Sequence, residues 1–276
     1  MNRFHAEEVR QLKHQPTNRQ VVEHHHHHSS AYDDDDGPRA VPTIAGRRVF
    51  TFSADGVLQA IDAEGGKSLW IVETHKRFGA DKGFFGAAAS PLVEGKAAIA
   101  VVGGPKGAGI VAFDVETGSV LWSATDDESG YASPIAATIG GERHVLVFNR
   151  AGLVDLEPKD GAVRFRFPFR ARIAASVNAA TPLVEGDLVF LSASYQTGAA
   201  VLRIKGKETE KLWASDEALS CHYATAVLRE GKLFGCDGRQ EGSPSLRCVD
   251  LKTGKVLWDE PRFGSASITV AGDQLL

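Results

Sequence analysis

Residues 109–122 read GIVAFDVETGSVLW: an apolar run entering Asp114, a turn at Thr117-Gly118, and a second apolar run ending on Trp122. The same phrase returns at residues 57–70 (VLQAIDAEGGKSLW) and 245–258 (SLRCVDLKTGKVLW). In each copy Gly follows the Asp by four positions and Trp by eight: Asp62/Gly66/Trp70, Asp114/Gly118/Trp122 and Asp250/Gly254/Trp258. Two looser copies lie between, one with Glu157/Gly161/Phe165, the other keeping only Leu212-Trp213 after Arg203-Ile204-Lys205. The aromatic positions 70, 122, 165, 213 and 258 are therefore spaced by 52, 43, 48 and 45 residues. A period of 40 to 50 residues is the mark of a repeat architecture.

A second signature precedes each phrase: Ala89-Ser90-Pro91, Ala132-Ser133-Pro134 and Ala180-Thr181-Pro182, with looser forms at Ala40-Val41-Pro42, Ala224-Thr225-Ala226 and Ala266-Ser267-Ile268. A Gly-centred turn and another short run rich in Val, Ile, Leu and Phe follow each of them. One unit is thus strand, Gly turn, strand, longer loop, strand, Asp-x-x-x-Gly turn, strand. The body has no long stripe of 3.6-residue period, so almost no helix is expected. Four-stranded antiparallel units at this spacing predict an all-β fold, a β-propeller. Five full blades are expected at about 41–73, 89–125, 132–168, 180–216 and 224–261, with a partial sixth from Ala266 and a ring possibly incomplete. Tight turns account for the 29 glycines, about half again above the ~7% norm. The recurrent Asp caps its turn, and the Trp on the outermost strand fills the wedge to the next blade.

The rest of the composition narrows the function. With 276 residues and 43% hydrophobic content, the chain has ample material for a core. No apolar run reaches the ~20 residues of a membrane helix, so no transmembrane segment is expected. A net charge of −4 gives no basic field for nucleic acid. The run from Arg164 to Arg172 interleaves Arg with Phe. It reads as an outer strand with Phe165 and Phe167 inward and Arg164 and Arg166 outward. Three cysteines make no disulfide framework; Cys236 and Cys248 fall on adjacent strands of one hairpin. Residues 1–36 form a separate low-complexity, tag-like tail with His24 to His28 and Asp33 to Asp36, and the propeller domain spans 37–276. The tail supplies at most one strand, around Arg19 to Glu23, and no export signal is legible in it.

The phrase Ala112-Phe113-Asp114-Val115-Glu116-Thr117-Gly118-Ser119-Val120-Leu121-Trp122 resembles the repeat of quinoprotein (PQQ-like) β-propellers. The copy ending at Trp258 departs from it at Cys248. The resemblance covers roughly residues 41–276 and extends to BamB-like scaffolds. It implies one of two ring closures. Either the tail completes a six-bladed ring, or the chain is a piece of a longer, eight-bladed protein, which the resemblance favours. It also implies a periplasmic or secreted setting for full-length relatives. The family includes quinone-dependent dehydrogenases of alcohols and sugars that hold PQQ with calcium. The vicinal cysteine ring of the methanol dehydrogenases has no counterpart here, because Cys221, Cys236 and Cys248 are separated.

In a four-stranded blade the between-blade loops and the loops joining second and third strands reach one face. Here those loops are long and individual, while the Gly turns of the other face are short and repetitive. A concave, mixed polar and aromatic face fits ligand or protein binding. The residues expected to bind there are Phe85, Tyr131, Arg172, Asn178, Tyr195, His222, Tyr223, Asp237 and Arg239. Bland roles fit several of them: Phe85, Tyr131 and Tyr223 recur at similar positions and so also suit packing between blades, and Asp237, Arg239 and Glu241 suit pairing with one another. The leading expectation is a non-catalytic scaffold or ligand- or protein-binding module without a cofactor. Self-association through open blade edges is a further expected contact. The alternatives are a PQQ- and calcium-dependent oxidoreductase, or an enzyme using His222 with Asp237 or Glu241.

Overall fold

The computed structural model describes residues 39–276 apart from Phe84, Arg172, Ala174 and Ala175. The tail at 1–36, its expected strand and the candidate Arg172 therefore lie outside the described residues.

Five four-stranded antiparallel sheets follow one another in chain order. The first blade is β1 (Thr43–Ala45), β2 (Arg48–Phe52), β3 (Val57–Asp62) and β4 (Ser68–Glu73). The second is β5 (Leu92–Glu94), β6 (Ala97–Gly104), β7 (Ala108–Asp114) and β8 (Val120–Ala124). The third is β9 (Ile135–Ile139), β10 (Glu142–Phe148), β11 (Gly152–Leu156) and β12 (Val163–Pro168). The fourth is β13 (Leu183–Glu185), β14 (Leu188–Ala193), β15 (Gly198–Lys205) and β16 (Glu208–Ser215). The fifth is β17 (Val227–Arg229), β18 (Lys232–Asp237), β19 (Ser245–Asp250) and β20 (Val256–Glu260). A two-stranded sheet, β21 (Val270–Ala271) with β22 (Gln274–Leu275), stands where a sixth blade begins. The one α-helical turn among the described residues, α1 (Thr74–Phe78), sits between the first two blades and ends on Gly79.

The first strands of neighbouring blades approach one another, β1 with β5, β5 with β9 and β13 with β17, as radial sheets require. The cores are between blades. Ile99, Val101, Ile110 and Ala112 of the second blade meet Val145, Val147, Val154 and Leu156 of the third. The opposite face of the third, with Leu146, Phe148 and Leu153, meets Val189, Leu191 and Leu202 of the fourth. Alternation along each central strand thus feeds two different interfaces.

The repeated phrase now has a mechanism. Asp114 Oδ1 accepts the N–H groups of Glu116 and Thr117 and the Thr117 hydroxyl, and Asp250 does the same for Lys252 and Thr253. These bonds hold both carboxyls below the usual aspartate range. A register shift falls beside the aromatic position in all five blades, at Ala60/Ile61, Ala112/Phe113, Asp155/Leu156, Val201/Leu202 and Cys248/Val249. Such a bulge twists the outer strand and re-aims its side chain. The ring then reaches the next blade: the indole N–H groups of Trp70, Trp122 and Trp213 donate to the carbonyls of Val115, Pro158 and Leu251. The rings lie on Gly118, Gly161 and Gly254, where an added Cβ would stand within 2.8 Å of ring carbons. Those glycines serve a positive φ and a close approach at once.

The Ala-Ser/Thr-Pro signature is a second link between blades. The N–H of Val41 donates to the Ser90 hydroxyl, that of Ser90 to Ser133, and that of Thr181 to Thr225. Two expectations need correcting. Arg164 does not point outward: its side chain is 8% exposed and lies across the buried His144 ring, drawn in by Glu157 and by the His144–Asp155 pair. Cys236 does not face Cys248, because it pairs with Leu246 while Cys248 pairs with Phe234; all three cysteines are free thiols.

Candidate functional site

The two long loop sets do interlace. Tyr131 and Ala132 donate their N–H groups to the Asn178 carbonyl, Gly238 N–H donates to the Ser220 carbonyl, and Cys221 bridges Gly238. Three chain segments meet at blades four and five: the β14–β15 loop carrying Tyr195, the connection before β17 carrying His222 and Tyr223, and the β18–β19 loop carrying Arg239 to Glu241.

One hydrogen-bond chain orders this cluster. Gln240 Nε2 donates to Glu241 Oε1 at 2.9 Å, so its Oε1 faces His222 Nδ1 at 2.6 Å. Nδ1 must then carry the proton, and Nε2 accepts from the Tyr195 hydroxyl at 2.9 Å. Burial holds His222 below the ordinary imidazole range, with the Arg239 charge adding to the effect against the Gln240 bond. The ring is therefore neutral at pH 7 with both nitrogens engaged. Tyr195 and Gln196 sit at φ 63° and 59°, a left-handed pair of non-glycine residues that costs on the order of 1 kcal/mol each. That turn delivers the Tyr195 phenol edge-on to the imidazole. Tyr223 stacks on the other side of His222, centroids 3.7 Å apart, and is 52% exposed. The Arg239 guanidinium lies 4.6 Å from the Tyr195 ring centre and pairs with Glu241. Beside the cluster opens a cavity of about 340 Å³, with His222, Tyr223, Cys236, Gln240 and Ser267 in its wall. Burial pushes the Cys236 thiol up, which leaves it a poor nucleophile.

The other candidates fall elsewhere. Asp237 takes the Ser220 N–H and the Arg247 guanidinium, both at 2.7 Å, and anchors the loop from behind. Phe85 and Tyr131 form their own edge-to-face pair 5.7 Å apart. Asn178 is buried, its amide donating to the carbonyls of Asn149 and Phe169. The structure thus brings together Tyr195, His222, Tyr223 and Arg239, and adds Gln240. That residue escapes sequence reading because its role depends on a tight turn, Gln240–Gly242, closed by Ser243 at φ 53°. His222 pairs with Gln240 rather than with Asp237 or Glu241.

A calcium-bound quinone needs converging oxygen donors. Among the described residues no group of three or more His, Cys, Asp or Glu side chains converges to hold a metal ion, so this part of the chain does not assemble that donor set.

The family model of the outer membrane protein assembly factor BamB matches residues 14–260. The chain belongs to this family. Among solved structures, BamB from Moraxella catarrhalis is similar at 18% identity and a TM-score of 0.59, over 83% of this chain and 63% of that one. The computationally designed Ika8 protein is similar at 12% identity and a TM-score of 0.56, over 86% and 66%. The quinohemoprotein alcohol dehydrogenase ADHIIG from Pseudomonas putida HK5 is similar at 15% identity and a TM-score of 0.51, over 82% and 42%. At such identities the likeness to scaffold, design and enzyme alike is one of fold. The chain spans less than two thirds of each of these structures. No curated protein matches it. No helix among the described residues of this BamB-family chain is long and apolar enough to cross a membrane.

Proposed function

We propose that this BamB-family chain is a non-catalytic scaffold that binds a protein partner through its loop-rich face, with Tyr223 and Arg239 as anchors. The observation that carries the reading is the Glu241–Gln240–His222–Tyr195 chain, which fixes an exposed Tyr and an Arg at the mouth of a cavity. Pre-ordered Tyr and Arg side chains are the commonest energetic centres of protein interfaces, because little rotamer entropy remains to be lost on binding. His222 is held by two bonds, which suits a structural post better than a proton carrier. Membership of a family described by outer membrane protein assembly supports a periplasmic or secreted setting and a partner in that process.

A photo-reactive amino acid placed at Tyr223, and separately at Thr117 on the opposite face, tests this in cells. Protein adducts should form from position 223 and be lost when Arg239 is also changed to Ala. Equal adducts from both positions would overturn the proposal.

A further inference from the structure

The chain has four tryptophans on fourth strands, and three of them are locked to a following blade. Each lock has the same parts: an indole N–H on a carbonyl one residue past the acidic position, and a ring on the Gly that closes the turn. The fourth, Trp258 on β20, is 39% exposed, against 8% for Trp122. Among the described residues its N–H has no carbonyl partner. It rests only on Phe234, ring centres 6.2 Å apart. Beyond it the β21–β22 sheet has two strands where every preceding blade has four. That half-blade is joined to the fifth blade by Arg229 and the Gly272 carbonyl. The inner half of a blade is in place, and the outer half that would cover Trp258 is not.

A charge stands ready as well. Arg48 lies opposite Asp62 in its blade and reaches forward to Glu116, in the turn of the next blade. Lys232 lies opposite Asp250 in the same register and is exposed.

We propose that the β21–β22 edge together with Trp258 and Lys232 is an acceptor site for a β-hairpin supplied in trans, one that closes in an Asp-x-Glu-x-Gly turn. The hairpin's first strand extends the sheet from β22, as strand addition to an open edge does. Its Gly lies under the Trp258 ring, its backbone carbonyl takes the indole N–H, and its Glu pairs with Lys232. Four-stranded geometry sets the partner at two strands, and the three existing locks set the chemistry of its turn. The site is separate from the Tyr223–Arg239 lip, so failure of one reading leaves the other standing.

The experiment uses the full chain and a peptide of residues 108–124 with Trp122→Phe, which is silent at tryptophan wavelengths. The peptide should blue-shift the chain's emission and raise its Tm, and Trp258→Phe should abolish the emission change. Gly118→Val in the peptide should weaken binding by about tenfold or more, equivalent to ~1.4 kcal/mol. Lys232→Glu in the chain should weaken it too, and Glu116→Lys in the peptide should restore it. The same hairpin fused after Leu276, through a linker as long as the Asp237–Ser245 connection, keeps the test valid if the free peptide does not fold. No emission change with the fusion, or equal binding of the Gly118→Val peptide, would overturn the proposal. A concentration-dependent doubling of mass of the chain alone, with Trp258 buried, would assign the site to a second copy and also overturn it.

Discussion

Trp122 and Phe165 hold the same place in consecutive blades, and the two contacts they serve are built differently. Between blades two and three the indole of Trp122 reaches the Pro158 carbonyl and covers Gly161. The Ser90 N–H donates to Ser133, and Arg143 grips Glu94 with two bonds. Between blades three and four the ring is a Phe, and nothing lies within 4 Å of a Cβ built on Gly206 of the next turn. In place of a Trp lock, His144 and Asp155 form a buried pair at 2.7 Å, with Arg164 across the imidazole. Asn178 ties the entry of the fourth blade to the loops of the third. In the second blade the positions of His144 and Asp155 are Ala97 and Ala112, by register. One contact is apolar and shape-determined; the other is polar, and its stability depends on every partner remaining paired.

The largest effect should come from Trp122→Ala, which empties the apolar contact and frees the Pro158 carbonyl, at a cost of about 3–5 kcal/mol in denaturant unfolding. A loss below ~1 kcal/mol would mean the ring is dispensable and the contrast false. Asp155→Ala should cost about 3 kcal/mol, because His144 and Arg164 stay buried without their carboxylate. Adding His144→Ala recreates the Ala97/Ala112 arrangement. The double variant should therefore lose less than the sum of the two single losses, by on the order of 1 kcal/mol in a double-mutant cycle. Strict additivity would show that the pair is not a unit. Phe165→Trp should change stability by less than ~0.5 kcal/mol, since the next turn presents no Gly platform to the larger ring. A gain comparable to the Trp122 loss would refute that account.

The smallest effect is one of pH, and its sign differs between the two contacts. The Arg143 bond holds Glu94 below the usual glutamate range, so the folded chain releases that proton earlier than the unfolded chain. Its contribution is complete above the ordinary glutamate value and is lost as pH falls through the folded value; for this exposed-edge pair it is below about 1 kcal/mol. Burial pushes Asp155 up, against the opposing pull of His144 and Arg164. Its contribution is complete below the ordinary aspartate value and is lost as pH rises through the folded value. In acid titrations of stability, Glu94→Gln should therefore flatten a loss and Asp155→Ala should remove a gain. Slopes of the same sign would break the comparison.

Much of the fold is legible along the chain. The phrase from Asp114 to Trp122 marks a turn and its two strands, because the capping bonds of Asp114 span only three residues. Period-two alternation marks central strands such as β10. The candidate site was legible in part. Tyr195, His222, Tyr223 and Arg239 were found as loop residues with recognition chemistry. Asp237 was read from the same loop, yet its carboxylate turns back to Ser220 and Arg247. Arg164 shows the limit of period two: a long side chain on an outer strand can fold back when buried partners attract it.

The sequence by itself determined the number and order of blades, the position of every Asp-x-x-x-Gly turn and the residue at each lock, because these are set by contacts a few residues apart. Only the tertiary structure decided which carbonyl each indole finds and why Ser and Thr stand in the Ala-Ser/Thr-Pro signature. It also decided that His222 is held by Gln240 and Tyr195. Those partners lie 18 to 49 residues apart in the chain and meet only when blades stack. The same holds for Trp258: its residue type was readable, but that its ring stands uncovered is a property of the assembled blades.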